Sequence, residues 1–285
     1  MSLGILIRGP EGFVFAAESR VTLDWRSPDG PADSKARVNF DTGKKLLTFK
    51  HPHNFIGVVT FGLGAIGNRT AYSFIPEIEA VLPSGRLSVN DFAVKFYEFF
   101  RQQWCKIYPV SWEEEPENLS QMKFIVGGYD DERAPYGRAY EVWIPGTPEF
   151  DEKEQKWIAS KPTYEEMKAF GINYGGQGAY VDRIIKGYDY DLLQELCKGL
   201  SLNEEQKGKL KEIKQPFEMS IPYEAMALQD YVDLAILLVR TTIEAQRLAA
   251  GSRECGGPID VATLNQREGI KYLQQKALEG ERTLK

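Results

Sequence analysis

Residues 11–20, EGFVFAAESR, end an apolar run with an acid and an arginine two positions apart, Glu18 and Arg20. Serine is small enough that removal of the initiator methionine is expected. Ser2 then becomes residue one, Glu18 the seventeenth and Arg20 the nineteenth. Other chemistries have few carriers. His51 and His53, in HPHN, are the only histidines; they read as a turn and receive no catalytic role. Cys105, Cys197 and Cys255 are odd in number and widely spaced, which fits reduced thiols better than a metal cluster or a disulfide framework. The turn GGQG (175–178) would set backbone donors at a helix N-terminus, where an anion can be held.

These residues need a scaffold, and 285 residues with 42% hydrophobic content can bury a large core. The formal charge of −6 argues against a nucleic-acid partner, which requires a basic face. No apolar run approaches the roughly 20 residues that span a bilayer. The first residues, MSLGILIRGPEG, lack a basic region and are too short in apolar length for a secretory signal. A cytoplasmic location with no membrane partner is therefore expected, and no metal or cofactor is called for.

Residues 3–8 and 13–17 read as two buried strands joined by the turn GPEG. Residues 22–43 are polar and turn-rich and predict a hairpin or loop. LLTF (46–49) and FIGVVTFGLG (55–64) predict a further strand pair. Ser88 with Asp91 predicts a capping box, followed by Phe92, Phe96, Phe99 and Phe100 at helical spacing. KFIVGGYDD (123–131) and AYEVWIPG (139–146) predict two more strands. Residues 147–170 are polar and poorly patterned. GGQG opens a helix, and 190–216 carries mixed helical charge. Residues 225–250 form the longest helix, with Tyr231, Leu234, Ala235, Leu238 and Ile243 on or near one face. IDVATL (259–264) predicts a last strand before a charged tail. Runs of strands separated by pairs of helices point to two packed sheets between helical layers.

Seven blocks in order resemble the β-type subunits of the proteasome and their simpler bacterial relatives. They are the first strand pair with AAESR, GKKLLTF (43–49), GVVTFGLG (57–64), IVGGYDD (125–131), the Gly-rich helix start at 175–178, MALQDYVDLAI (226–236) and GGPIDVATL (256–264). The match from Ser2 to Arg20 is ungapped. The resemblance implies an N-terminal-nucleophile hydrolase: an α+β, four-layer αββα sandwich of two antiparallel sheets flanked by helices. It implies one domain over 1–285, with insertions near 22–42, 147–170 and 190–224. The extra helix that the family's α-type subunits carry before the first strand is not seen in this sequence, nor is a long propeptide, and both points favour the β type.

What the resemblance implies for the site follows residue by residue. Ser2 would be the nucleophile. A serine hydroxyl is weak until a base takes its proton. The α-amine, with an ordinary pKa of about 7.7–8.0, lies near working pH and can be that base. Lys45 would stabilise developing negative charge, and Glu18 would pair with it, where most members carry an aspartate. Arg20 could brace the same carboxylate. The backbone N–H of Gly62 is the candidate for the oxyanion hole. Two supporting positions depart from the family. Its serine in the Gly-rich turn is replaced by Gly176 or Gln177, and its aspartate before the last GG pair falls on Ser252, with Glu254 nearby.

Each residue also has a plain structural reading. Ser2 could be an ordinary terminal residue, Glu18 with Arg20 a surface ion pair worth little, Lys45 beside Lys44 a solvated charge, and Gly62 the relief of a tight strand crossing. Three functions stay open. One is a peptidase acting on peptide or unfolded protein, bound as an added strand near residues 20–23 and 60–64. The second is a catalytically inactive structural subunit. The third is a small-molecule amide hydrolase. The resemblance further implies a homo-oligomeric ring or spiral, and an ATP-dependent unfoldase or other subunits as partners.

Overall fold

The computed structural model describes residues 2–26, 35–116, 119–167, 170–251, 253–278 and 280. The chain opens with β1 (Leu3–Gly9) and β2 (Gly12–Ala17), then β3 (Val21–Arg26) and β4 (Lys35–Phe40), which pair with each other, and β5 (Leu46–Thr48) and β6 (Ile56–Gly62). The two-residue strands β7 (Ala65–Ile66) and β8 (Arg69–Thr70) lead through a 3-10 turn to α1 (Ile75–Val81) and α2 (Val89–Cys105). Next come β9 (Ser111–Trp112), β10 (Met122–Gly128), β11 (Arg138–Asp151), β12 (Lys156–Glu166) and β13 (Gly171–Gly176). Helices α3 (Ala179–Ile185), α4 (Tyr190–Gly199), α5 (Glu204–Lys214) and α6 (Leu228–Leu248) follow. The described part ends with β14 (Asp260–Asn265) and β15 (Gly269–Gln274).

One sheet has the order β13-β1-β2-β14-β15 and the other β5-β6-β10-β11-β12-β9; the pairings are antiparallel. The apolar residues of the central strands divide by parity, as the pleat requires. Leu3, Ile5, Ile7, Val14 and Ala16 face α6, while Leu6, Phe13, Phe15 and Ala17 face the opposite sheet. There they meet Val59, Phe61 and Ile125, whose neighbours Ile56, Val58, Met122, Phe124 and Val126 face α2. Strands buried on both faces explain why β1, β2 and β6 read as continuous apolar runs rather than as alternations. The result is an αββα sandwich.

On α2 the stack Phe92–Phe96–Phe100 lies along the sheet, and Phe96 meets Phe124 edge-on at 4.8 Å. Ser88 caps the helix by accepting from Asp91 N at 3.1 Å. The reciprocal half of the expected box is absent: Asp91 takes the Ser88 hydroxyl at 2.7 Å, and Asp130 takes the backbone N–H of Val89 at 2.8 Å. Helix α6 receives an acid from elsewhere, Glu11 in the β1–β2 turn, which accepts from Leu228 N at 2.7 Å.

Three segments differ from the sequence reading. The poorly patterned stretch 147–170 extends β11 and supplies β12, a hairpin whose turn is set by Asp151 Oδ1 accepting from Lys153 N and Glu154 N. The hairpin tip is polar and partly or fully exposed, so no apolar alternation marks it. GINYGG forms β13 and pairs with β1, although three of its six residues are glycine. Part of the charged tail is β15, an edge strand reached by a turn in which Asn265 Oδ1 accepts from the N–H groups of Arg267 and Glu268. No helix among the described residues is long and apolar enough to cross a membrane.

Candidate active site

Strand β2 ends at Ala17, and the chain turns so that Glu18 points inward, only 1% exposed. Its carboxylate is surrounded by donors. Oε1 accepts from Leu3 N at 3.2 Å; Oε2 accepts from Arg20 N at 2.6 Å and Gly256 N at 3.1 Å. Lys45, just before β5 and 5% exposed, closes the set by an ion pair to Oε1. The Lys45 ammonium also donates to Arg20 O at 2.5 Å. Burial pushes the Lys45 pKa below the ordinary lysine value, and Glu18 works against that shift. A pair this buried differs in kind from a surface ion pair, because removing either member strands a charge away from water.

Arg20 braces Glu18 through its backbone N–H, not through its side chain. The guanidinium turns to Asp41, with Nε to Oδ1 at 2.6 Å and Nη2 to Oδ2 at 2.7 Å, and Nη1 donates to Arg253 O at 3.0 Å. This fork raises the arginine pKa and ties the segment after β4 to the segment before β14. Ser19 reinforces the joint: its N–H donates to Gly256 O at 3.0 Å and its hydroxyl to Pro258 O at 2.6 Å.

Ser2 is 6% exposed and sits at the start of β1. Its carbonyl accepts from Gln177 N at 2.9 Å. Gly176 has φ +90°, and a Cβ there would stand 1.5 Å from the Ser2 carbonyl oxygen, so only glycine fits. Gly176 is therefore part of the seat of Ser2. Beyond it lies a polar relay. Gln177 donates through Nε2 to Glu254 and accepts through Oε1 from Gln246 Nε2 at 3.3 Å. Gln246 Oε1 in turn accepts from Glu254 N at 2.9 Å and Cys255 N at 2.8 Å. Ser252 lies outside the described residues.

Gly62 ends β6 with φ +79°, and a Cβ there would come within 2.5 Å of Gln121 O. Thr60 N donates to Lys45 O at 2.9 Å, fixing β6 against the lysine. Ser2, Lys45 and Gly62 line one small cavity of about 20 Å³. A groove of about 750 Å³ runs beside it, sharing Thr22, Gly62 and Gly64 and lined further by Lys123, Glu141 and Tyr174. Among the described residues no three His, Cys, Asp or Glu side chains cluster as metal ligands.

No family model matches the sequence, and no curated protein matches it. Solved structures do. One is a Gly-1 mutant of Anbu from Hyphomicrobium sp. strain MC1, with TM-score 0.53 and 14% identity, over 97% of this chain and 86% of that one. Another is the helical assembly of the Anbu complex from Pseudomonas aeruginosa, with TM-score 0.53 and 16% identity, over 98% and 88%. The fold is that of the proteasome-like N-terminal-nucleophile hydrolases. At these identities the likeness is one of fold.

Three expected residues, Ser2, Lys45 and Gly62, thus line one cavity, although 60 positions of sequence separate the first from the last, and Glu18 stands behind it through its ion pair with Lys45. Three features were not read from the sequence. The partner of Arg20, Asp41, lies beyond β3 and β4, and nothing in its residue type or spacing marks it as that partner. Gln246 sits on a helix otherwise read for its apolar face. Lys276 in the tail forms a buried ion pair with Asp260, and its charge adds to the lowering of the Lys45 pKa. A lysine in a charged tail carries no signal of burial.

Proposed function

We propose that this protein is a peptidase that uses Ser2 as its nucleophile once Met1 is removed. The observation that carries the reading is the buried Glu18–Lys45 pair bordering the cavity that Ser2 and Gly62 also line. Burying two charges is expensive, and this pair stands beside the first residue of the mature chain.

In this reading the α-amine of Ser2 takes the hydroxyl proton as Oγ bonds to the substrate carbonyl carbon. Lys45 disfavours protonation of the amine before the reaction and stabilises negative charge as it develops. The N–H of Gly62 donates to the oxyanion. Collapse breaks the C–N bond, the departing amine takes the proton, and an acyl ester of Ser2 remains. Water, deprotonated by the α-amine, then releases the acid and restores the hydroxyl. Peptide would lie extended between residues 20–23 and 60–64, held by main-chain hydrogen bonds. The small-molecule amidase remains a narrower form of the same chemistry.

The structural-subunit reading has its own support, since the family serine and aspartate are absent and Gln177 and Glu254 bind each other. Assembly fits either reading. A structural neighbour forms a helical assembly, and we infer that this chain also associates with copies of itself. Intact mass after native expression, followed by labelling with a peptide epoxyketone and Ser2→Ala as control, separates the two. Loss of Met1 with one adduct, absent in Ser2→Ala, is the expected result. A retained Met1, or a bare Ser2 that never labels, would make the protein a structural subunit.

A further inference from the structure

We infer, resting on the peptidase reading above, that the residue whose carbonyl is attacked carries a very small side chain: glycine, alanine or serine. The argument begins with the two spaces beside Ser2. The cavity lined by Ser2, Lys45 and Gly62 measures about 20 Å³. A site of that measure holds little more than one water-sized group. The groove of about 750 Å³ shares Gly62 and Gly64 with the cavity, but Ser2 is not among its lining residues. An extended peptide sends successive side chains to opposite sides. The side chain at the attacked carbonyl therefore meets the small cavity, and its neighbours reach the wide groove.

The walls explain why the cavity stays small. Val21, 9% exposed, is pressed between two glycine backbones. A Cβ on Gly43 would lie 2.3 Å from its Cγ2, and one on Gly64 would lie 2.9 Å from its Cγ1. Ala71, 2% exposed, also lines the cavity, at the start of the 3-10 turn that follows β8. Outside, Lys44, another lining residue, lies over the Tyr72 ring at 4.5 Å and donates to its hydroxyl at 3.3 Å. A leucyl or phenyl side chain must displace packed groups on each of these sides, and a misfit of that kind slows reaction roughly ten- to 200-fold.

The test uses the full-length protein and three peptide epoxyketones identical except for alanine, leucine or phenylalanine next to the warhead. Labelling is followed by intact mass. The expected result is that the alanine reagent modifies Ser2 about tenfold faster or more than the other two. Val21→Ala should narrow that ratio, and Ala71→Gly should narrow it from another wall if Val21→Ala does not fold. Leucine or phenylalanine reagents that label Ser2 as fast as alanine would overturn the size restriction and leave the serine hydrolase standing. No adduct with any of the three would overturn both.

Discussion

At the scale of single residues, Glu18 organises the site. It accepts from three backbone N–H groups, those of Leu3, Arg20 and Gly256, and pairs with Lys45. Lys45→Met should therefore cost about 3–5 kcal/mol in urea unfolding, because it leaves a carboxylate buried without its cation. Adding Glu18→Gln removes the stranded charge and should restore much of that loss while leaving Ser2 unlabelled by epoxyketone. Recovery of labelling together with stability in the double variant would show the pair to be structural only. Gln177→Ala is the complementary case. Its N–H to Ser2 survives the change, whereas its side-chain bonds to Glu254 and Gln246 are lost. Stability should fall by about 1–2 kcal/mol, the range of one or two lost hydrogen bonds. The labelling rate should fall at unchanged adduct mass. Glu18 and Lys45 were legible because their positions count from Ser2 and sit in recognisable strand blocks. Asp41, Gln246 and Lys276 were not, because their partners are long-range and their residue types are ordinary for a surface.

At the scale of elements, β13 is the instructive strand. Its glycines argued for a turn, since glycine in a strand lowers propensity, yet β13 pairs with β1 from Leu3↔Gly176 to Arg8↔Gly171. Packing explains the composition. A Cβ on Gly175 would come within 2.0 Å of the Phe61 ring, and one on Gly176 would overlap the Ser2 carbonyl oxygen. The sequence signal for a close approach was present, but what approached was visible only once the sheets were stacked. Gly176→Ala should lower stability by at least about 1–3 kcal/mol, the cost of a positive-φ residue with a side chain. It should also abolish Ser2 labelling by moving the start of β1. A thermal melt and the epoxyketone reaction check both; wild-type labelling in a destabilised Gly176→Ala would show that β13 does not control the reactivity of Ser2. The central strands β1, β2, β6, β10 and β14 were legible for the opposite reason: burial on two faces leaves long apolar runs. The edge strand β15 and the tip of the β11–β12 hairpin, residues 149–158, bury too little to leave one.

At the scale of the whole molecule, four packed layers keep water from groups that would ionise in an unfolded chain. Burial pushes the Cys255 thiol up to about 12, with the Glu18 charge adding to the effect, and pushes the phenols of Tyr174, Tyr223 and Tyr272 up to about 12 as well. The unfolded chain loses these protons near 9.0 for the thiol and 10.0 for the phenols, while the folded chain keeps them. The stability they confer is fully present below pH 9 and is lost as pH rises toward 12. Lys45, with its folded pKa lowered, contributes in the opposite direction and offsets part of the loss. Urea midpoints should therefore fall from pH 8 to pH 10.5. Tyr223 isolates one contribution, because its hydroxyl is buried and has no hydrogen-bond partner among the described residues. Tyr223→Phe removes both the orphaned oxygen and the ionisable proton. It should be about 1 kcal/mol more stable than wild type at pH 8 and should lose less between pH 8 and pH 10.5. An unchanged alkaline slope in Tyr223→Phe would mean that this phenol ionises in place, with water reaching it beside α6 and the layers parted there.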